Sequence, residues 1–221
     1  MAIIGTSLPH KTIIVPTHSN GRSGEKVRAI VIHHQAGNLS GEQIAKVFAS
    51  RHSSATYSIA SDGTITQHVS EADRPWTTSG ANPDNHAVTI EVANNSFAPS
   101  WTISNAAMTS LISLCADICK RYGIAKLYYS GKNGTLLRHC DYHATACPGP
   151  YIKAQTGYIC GAVNAKLASA NTATSTARTT TDSGVMYRVQ CGVFRSKDSA
   201  EALSKKLTAA GFTNAVVAVK Q

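Results

Sequence analysis

Between positions 139 and 147 the chain places His139, Cys140, His143 and Cys147, in the run RHCDYHATACPGP (138–150). Imidazole nitrogen and thiolate sulfur are the donors Zn²⁺ takes, and a catalytic zinc uses three protein ligands with one position left for water. His139 and His143 would share a face if this segment were helical. Pro148, Pro150 and the small residues ahead of Cys147 favour a loop, so spacing does not rank His143 against Cys147. Loop histidines beside a buried thiol are the alternative reading.

Two more candidates lie upstream, where the apolar run Ile30-Val31-Ile32 ends in His33 and His34. Neighbouring strand side chains point to opposite faces, so one of the two histidines faces any given site, and the sequence does not say which. In Val88-Thr89-Ile90-Glu91-Val92, alternation puts the three apolar residues on one face and Thr89 with Glu91 on the other. A mid-strand carboxylate is costly unless it is solvated, paired or near a metal. Beside a metal-activated water it would serve as a general base.

The elements that must position these groups follow from pattern. KVRAIVIHH (26–34) reads as a buried strand, and Ser40 with Gln43 three residues on forms a capping box for a helix reaching about Arg51. Two short strands turn at Asp62-Gly63, and 86–94 is a further strand. Met108, Leu111, Cys115, Ile118 and Tyr122 recur at helical spacing over 105–122, with Gly123 as the stop. A last helix is predicted over 154–168, with Gly157 and Gly161 inside it. This alternation predicts an α/β fold, a mixed central β-sheet flanked by helices.

Residues 169–184 hold no large apolar side chain and read as a flexible Ser/Thr/Ala linker. They separate a domain over 1–168 from a tail over 185–221 that reads strand, helix, strand. Such a βαβ unit is too small to be stable alone and is expected to pair with a second copy or dock elsewhere.

The six cysteines are irregularly spaced and read as small buried apolar residues rather than a disulfide framework. Pro9, His10 and Lys11 interrupt the N-terminal apolar residues, which excludes a signal peptide or spanning helix there. The expectation is synthesis in a reducing cytoplasm without stable membrane insertion. A net charge of +9 suits a polyanionic partner such as an anionic wall. Nucleic acid is not favoured, because no basic run with interleaved aromatics is present.

Taken together, IVIHH (30–34), SATYSIASDGTI (54–65), AVTIEVAN (87–94) and RHCDYHATACPGP resemble the type-2 N-acetylmuramoyl-L-alanine amidases, a family related in fold to peptidoglycan recognition proteins. The resemblance spans nearly all of 25–165, with the four segments in the family's order. It implies Zn²⁺ on His33, His139 and Cys147, with Glu91 activating water. Some members use instead a tyrosine at the position held here by Ala55. Thr145 falls where the family places a lysine or threonine near the oxyanion. Trp76 would line the substrate groove, a core tryptophan being the alternative, with His34 and His143 as further substrate-binding candidates. His52, His68 and His86 read as structural or exposed. The implied substrate is bacterial peptidoglycan, cut between N-acetylmuramic acid and L-alanine.

The tail resembles the first half of a SPOR-type repeat, which implies wall binding or a homodimer through paired tails. The expected setting is a phage or prophage endolysin, made in the host cytoplasm and acting at the wall after release. A host autolysin, a non-catalytic peptidoglycan-binding protein and a zinc stem-peptide endopeptidase are the alternatives.

Overall fold

The computed structural model describes residues 4–175, 198 and 201–205, with side chains of the long final helix described as far as 169. The chain divides into two compact units, Met1–Ala177 and Arg178–Gln221. The first carries strands β1 (Lys11–Thr12), β2 (His18–Ser19), β3 (Ala29–His34), β4 (Tyr57–Ile59), β5 (Ile65–Gln67), β6 (Arg74–Pro75), β7 (Ala87–Val92) and β8 (Leu136–Arg138). Its helices are α1 (Gly41–Arg51), α2 (Ala81–Asp84), α3 (Asn105–Tyr122) and α4 (Gly149–Ser175). In the tail, 198 and 201–205 are helical, inside the helix its pattern predicts; its two predicted strands and the linker over 176–184 lie outside the described residues.

The main sheet runs β1-β5-β4-β7-β3-β8, and β2 pairs with β6 separately. It is mixed, as predicted: β7 is parallel to both β3 and β4, β8 is parallel to β3, and β4–β5 is the antiparallel hairpin. β3 sits between two strands with all six residues buried, which is why it reads as an apolar run rather than an alternation. At the hairpin tip Gly63 has φ +87, a left-handed conformation that glycine adopts without a Cβ penalty. A Cβ there would also lie 3.0 Å from the Ala106 carbonyl oxygen, so the tip abuts α3.

The helix caps are those the sequence predicts. Ser40 Oγ accepts from the Gln43 N–H at 3.3 Å while Gln43 Oε1 accepts from the Ser40 N–H at 2.8 Å. Gly123, with φ +67, closes α3 in the left-handed region. Helix α4 is longer at both ends than the predicted 154–168, starting at Gly149 and running through the first residues assigned to the linker. Ile152, Thr156, Ile159, Val163 and Leu167 form its buried stripe. No Gly or Pro falls between 162 and 175 to stop the helix.

One sheet face, with Ile30, Ile32, Val88, Ile90 and Val92, packs on Leu111, Leu114, Cys115 and Ile118 of α3 and on Ile152, Ile159 and Val163 of α4. Cys115 and Cys119 are free and buried in that layer, as their helical spacing predicts. The other face is shared. α1 brings Ile44, Ala45 and Phe48 against Ala55 and Val69, while β3, β7 and β8 present only Ala29, Val31, Ala87 and Leu137, with Tyr142 packed on them. That thinly covered face carries the site.

Candidate functional site: a His–His–Cys cluster at the sheet edge

β3 ends with His33 on the face of Ala29 and Val31, so the strand alternation sends His34 to the opposite, helix-packed face. β7 runs parallel with Glu91 as the register partner of His33, and side chains paired this way share a face. The His33 Nδ1 and Glu91 Oε1 atoms are 3.9 Å apart. On the other flank, Ile32 pairs with Arg138, so the next residue, His139, emerges beside His33 with ring centroids 4.8 Å apart.

Local hydrogen bonds hold the loop. His139–Asp141 is a single 3₁₀ turn, closed by the Arg138 N–H donating to Asp141 Oδ2 at 3.0 Å. The Arg138 side chain leaves in the other direction, donating to Thr156 Oγ1 of α4 at 2.7 Å. The Cys140 N–H donates to the Cys147 carbonyl at 3.2 Å, and the Cys147 N–H donates to Thr145 Oγ1 at 3.2 Å. These bonds fold the segment back so that Cys147 Sγ lies 3.4 Å from His33 Nδ1.

One donor atom from each of His33, His139 and Cys147 thus falls within 4.8 Å of the others. Tetrahedral zinc with its usual Zn–N and Zn–S bonds sets nitrogen and sulfur about 3.5 Å apart. The observed 3.4 Å matches that spacing. The donor set, two imidazoles and a thiol with a carboxylate alongside, suits zinc.

The electrostatics point the same way. Burial pushes His33 well below the ordinary histidine value, with His139 and His34 adding to the shift. Burial also lowers His139, helped by His143. The Cys147 thiol is pushed up by burial and by Glu91, while the His34 backbone N–H acts in the opposite sense. Glu91 rises to about 8 because of burial. Its side chain is 17% exposed, yet Oε2 has no hydrogen-bond partner. Buried without a cation, the imidazoles stay neutral and the acids stay protonated; a cation among them reverses the preference of both acids.

The remaining candidates lie at varying distances from this cluster. Thr145 is half-buried on the Cys147 loop. His143 is exposed, its ring edge-on to His139 at 5.9 Å. Trp76 is 37% exposed and anchored by its Nε1–H donating to Ser19 Oγ at 2.9 Å. His34 is not brought to the cluster: it is buried against Trp101, 5.4 Å between ring centroids. Cys140 is free and partly buried, and Ala55 is fully buried under α1.

Sequence reasoning missed Thr78 and Asp84. Thr78 is fully buried with Oγ1 3.4 Å from His33 Nε2, and Asp84 is fully buried with Oδ2 accepting the N–H groups of Thr77 and Thr78. The contact of Thr78 with His33 joins residues 45 positions apart, and the bonds from Thr77 and Thr78 to Asp84 close a loop within RPWTTSGANPDNH that follows no regular period.

Comparison with known proteins gives a family model described as N-acetylmuramoyl-L-alanine amidase matching residues 23–150, and a SPOR domain model matching residues 162–218. No curated protein matches the chain. Among solved structures, the hydrolase AmiA of Staphylococcus aureus in complex with its ligand is similar at 15% identity and TM-score 0.58, over 72% of this chain and 83% of that one. A selenomethionine derivative of AmpD is similar at 18% identity and TM-score 0.55, over 72% and 99% of the two chains. A mutant endolysin from Bacillus subtilis is similar at 18% identity and TM-score 0.51, over 70% and 98%. At these identities the structures attest the fold, while the family match spans more than half of the chain and all four residues gathered at the sheet edge. The chain belongs to the N-acetylmuramoyl-L-alanine amidase family, and a SPOR domain model matches its C-terminal part from within α4 onward.

Proposed function

We propose that the protein is a zinc-dependent peptidoglycan amidase cleaving the bond between the lactyl group of N-acetylmuramic acid and L-alanine. The observation that carries this reading is the convergence of His33, His139 and Cys147 donor atoms within 4.8 Å, with Glu91 paired beside His33. A bound Zn²⁺ supplies a Lewis acid for the amide carbonyl, acidifies a water toward a pKa of ~7 and offsets the buried charges of Cys147 and Glu91.

The chain's own residues do the rest. Glu91 takes a proton from the attacking water at a carboxylate oxygen and returns it to the leaving amine. Its Oε2, with no protein partner, is the atom free to do so. Thr145 accepts the Cys147 N–H at its oxygen, which leaves the hydroxyl proton available to the amide oxygen as negative charge develops there. A well-aimed donor of this kind contributes roughly 2.7–4 kcal/mol. Trp76 and His143, both solvent-facing, are the candidate contacts for the glycopeptide.

The SPOR match supports peptidoglycan as the partner of the tail, and we place the protein as an endolysin acting at the wall after release, the tails pairing as a homodimer. Digestion of purified peptidoglycan with and without a chelator tests the activity. Chelator-sensitive appearance of L-alanine amino termini without new reducing ends supports it. New amino termini within the stem peptide would indicate an endopeptidase, and binding without cleavage a recognition protein.

A further inference from the structure

The two ring nitrogens of His33 face different partners. Nδ1 is turned to Cys147 Sγ and Glu91 Oε1, while Nε2 is turned away from the cluster to Thr78 Oγ1 at 3.4 Å. A neutral imidazole carries one proton. Leaving the Nδ1 lone pair for a cation requires that proton on Nε2, and a buried N–H requires an acceptor. Among the described residues, Thr78 Oγ1 is the hydrogen-bond partner at that nitrogen.

A threonine hydroxyl can accept one hydrogen bond while donating its own proton elsewhere. The Thr78 backbone is fixed by the buried Asp84 carboxylate, whose Oδ2 accepts the Thr77 and Thr78 N–H groups at 2.9 and 2.8 Å. Asp84 Oδ1 is buried with no hydrogen-bond partner.

The segment is fixed from two further sides. Thr77 Oγ1 donates to the Ser54 carbonyl at 2.7 Å and meets Thr89 Oγ1 of β7 at 2.8 Å. The buried Arg22 guanidinium donates through Nη1 to the carbonyls of Asp84, Asn85 and Ala87. Thr78 is therefore held in place by both the sheet and the α2 segment. Within this buried polar segment, an Nε2–H on His33 gives the Thr78 hydroxyl oxygen a donor and the imidazole an acceptor.

We propose that Asp84 and Thr78 form a positioning relay: the carboxylate fixes the Thr78 backbone, and the Thr78 hydroxyl oxygen holds the His33 proton on Nε2 and so commits Nδ1 to the metal. Neither residue touches substrate or the reacting atoms. The relay rests on the metal reading given above. It makes a prediction that activity alone would not test: removing the hydroxyl weakens metal binding itself, because both the tautomer and the ring orientation of a ligand lose their support.

The experiment is a zinc titration of the full chain in competition with a chromophoric chelator. It compares the parent with Thr78→Val, Thr78→Ser and Asp84→Asn, each checked for folding by thermal unfolding of the metal-free protein. Loss of such a partner typically costs 10–100-fold in metal affinity. Thr78→Val should fall in that range, with a changed cobalt visible spectrum, and Thr78→Ser should stay within about 3-fold of the parent because it restores the hydroxyl. Asp84→Asn, which keeps an acceptor oxygen but loses the charge, should fall between them. Folded Thr78→Val with parental zinc affinity overturns the relay. If Thr78→Val does not fold, Asp84→Asn decides: parental affinity there overturns the relay. A parent that binds no zinc removes the metal reading, and the relay with it.

Discussion

His33 and Glu91 are register partners across the parallel β3–β7 pair, and their Nδ1 and Oε1 atoms stand 3.9 Å apart. The geometry follows from the sheet. Two parallel strands with one register bring an imidazole and a carboxylate to the same face without any loop having to order them. The cluster lies at the C-terminal ends of β3, β7 and β8, the edge of an open α/β sheet where ligand sites generally form. His139 sits on the 3₁₀ turn directly after β8, and Cys147 lies furthest from a strand, on the loop that follows.

On the zinc reading proposed above, that loop makes Cys147 a residue through which metal binding and folding would be coupled. A ligand at one hundred times its dissociation constant stabilises the native state by ~2.7 kcal/mol. Zinc at that excess should raise the unfolding temperature of the parent, and should have no effect on Cys147→Ala. Differential scanning calorimetry with and without zinc measures both.

His68 carries a separate pH dependence. It is fully buried under α1, with Nε2 2.8 Å from Ser58 Oγ and Nδ1 3.1 Å from the Ile13 carbonyl, and burial lowers it to about 4. Between about 6.5 and about 4 the unfolded chain takes up a proton that the folded chain refuses. Stability is therefore intact above that window and falls as the pH drops through it, by on the order of 3 kcal/mol from this group. His33, His34, His86 and His139 are lowered too, so the acid limb is shared. Urea unfolding of the full chain across this range should show a shallower slope in His68→Gln than in the parent.

Glu71 is a buried carboxylate far in sequence from the site. It accepts from Tyr57 OH and Tyr122 OH, each at 2.7 Å, and from both terminal nitrogens of Arg121. Arg121 also donates to Asp117, which takes the Thr6 hydroxyl, so one network ties the N-terminal segment, β4 and α3 together. Removing one partner of such a buried pair leaves an uncompensated charge. Arg121→Ala should lower stability by ~3–5 kcal/mol, whereas replacing both charges together with apolar residues should cost less. Equilibrium denaturation of the two variants tests the difference.

Much of this structure was legible in the sequence, and the exceptions have physical causes. β3, α1 with its capping box, the Asp62-Gly63 hairpin and α3 with Gly123 are set by local rules, and each appears as expected. The face of β3 was not legible, because an apolar run buried on both sides carries no alternation. It took the register with Glu91 to place His33 toward the site and His34 away. The 3₁₀ turn at His139 and the back-folding of Cys147 depend on bonds such as Cys140 N–H to the Cys147 carbonyl, which no pattern encodes. Thr78 and Asp84 were invisible for the same reason.

The extent of α4 was also misjudged. Gly157 and Gly161 lie inside the helix, and an added Cβ at either meets nothing within 4 Å. Gly157→Ala and Gly161→Ala should each stabilise the protein by about 0.4–1 kcal/mol, mostly by restricting the unfolded chain. Thermal unfolding of the single variants checks this.

The central claim is that Glu91 moves the proton in a reaction whose metal is held by other residues, and Glu91→Gln isolates it. The variant should retain zinc at the parental stoichiometry. Its initial rate of L-alanine amino-terminus release from purified peptidoglycan should fall by ~10²–10⁴-fold. Release at the parental rate from zinc-loaded Glu91→Gln would contradict the account.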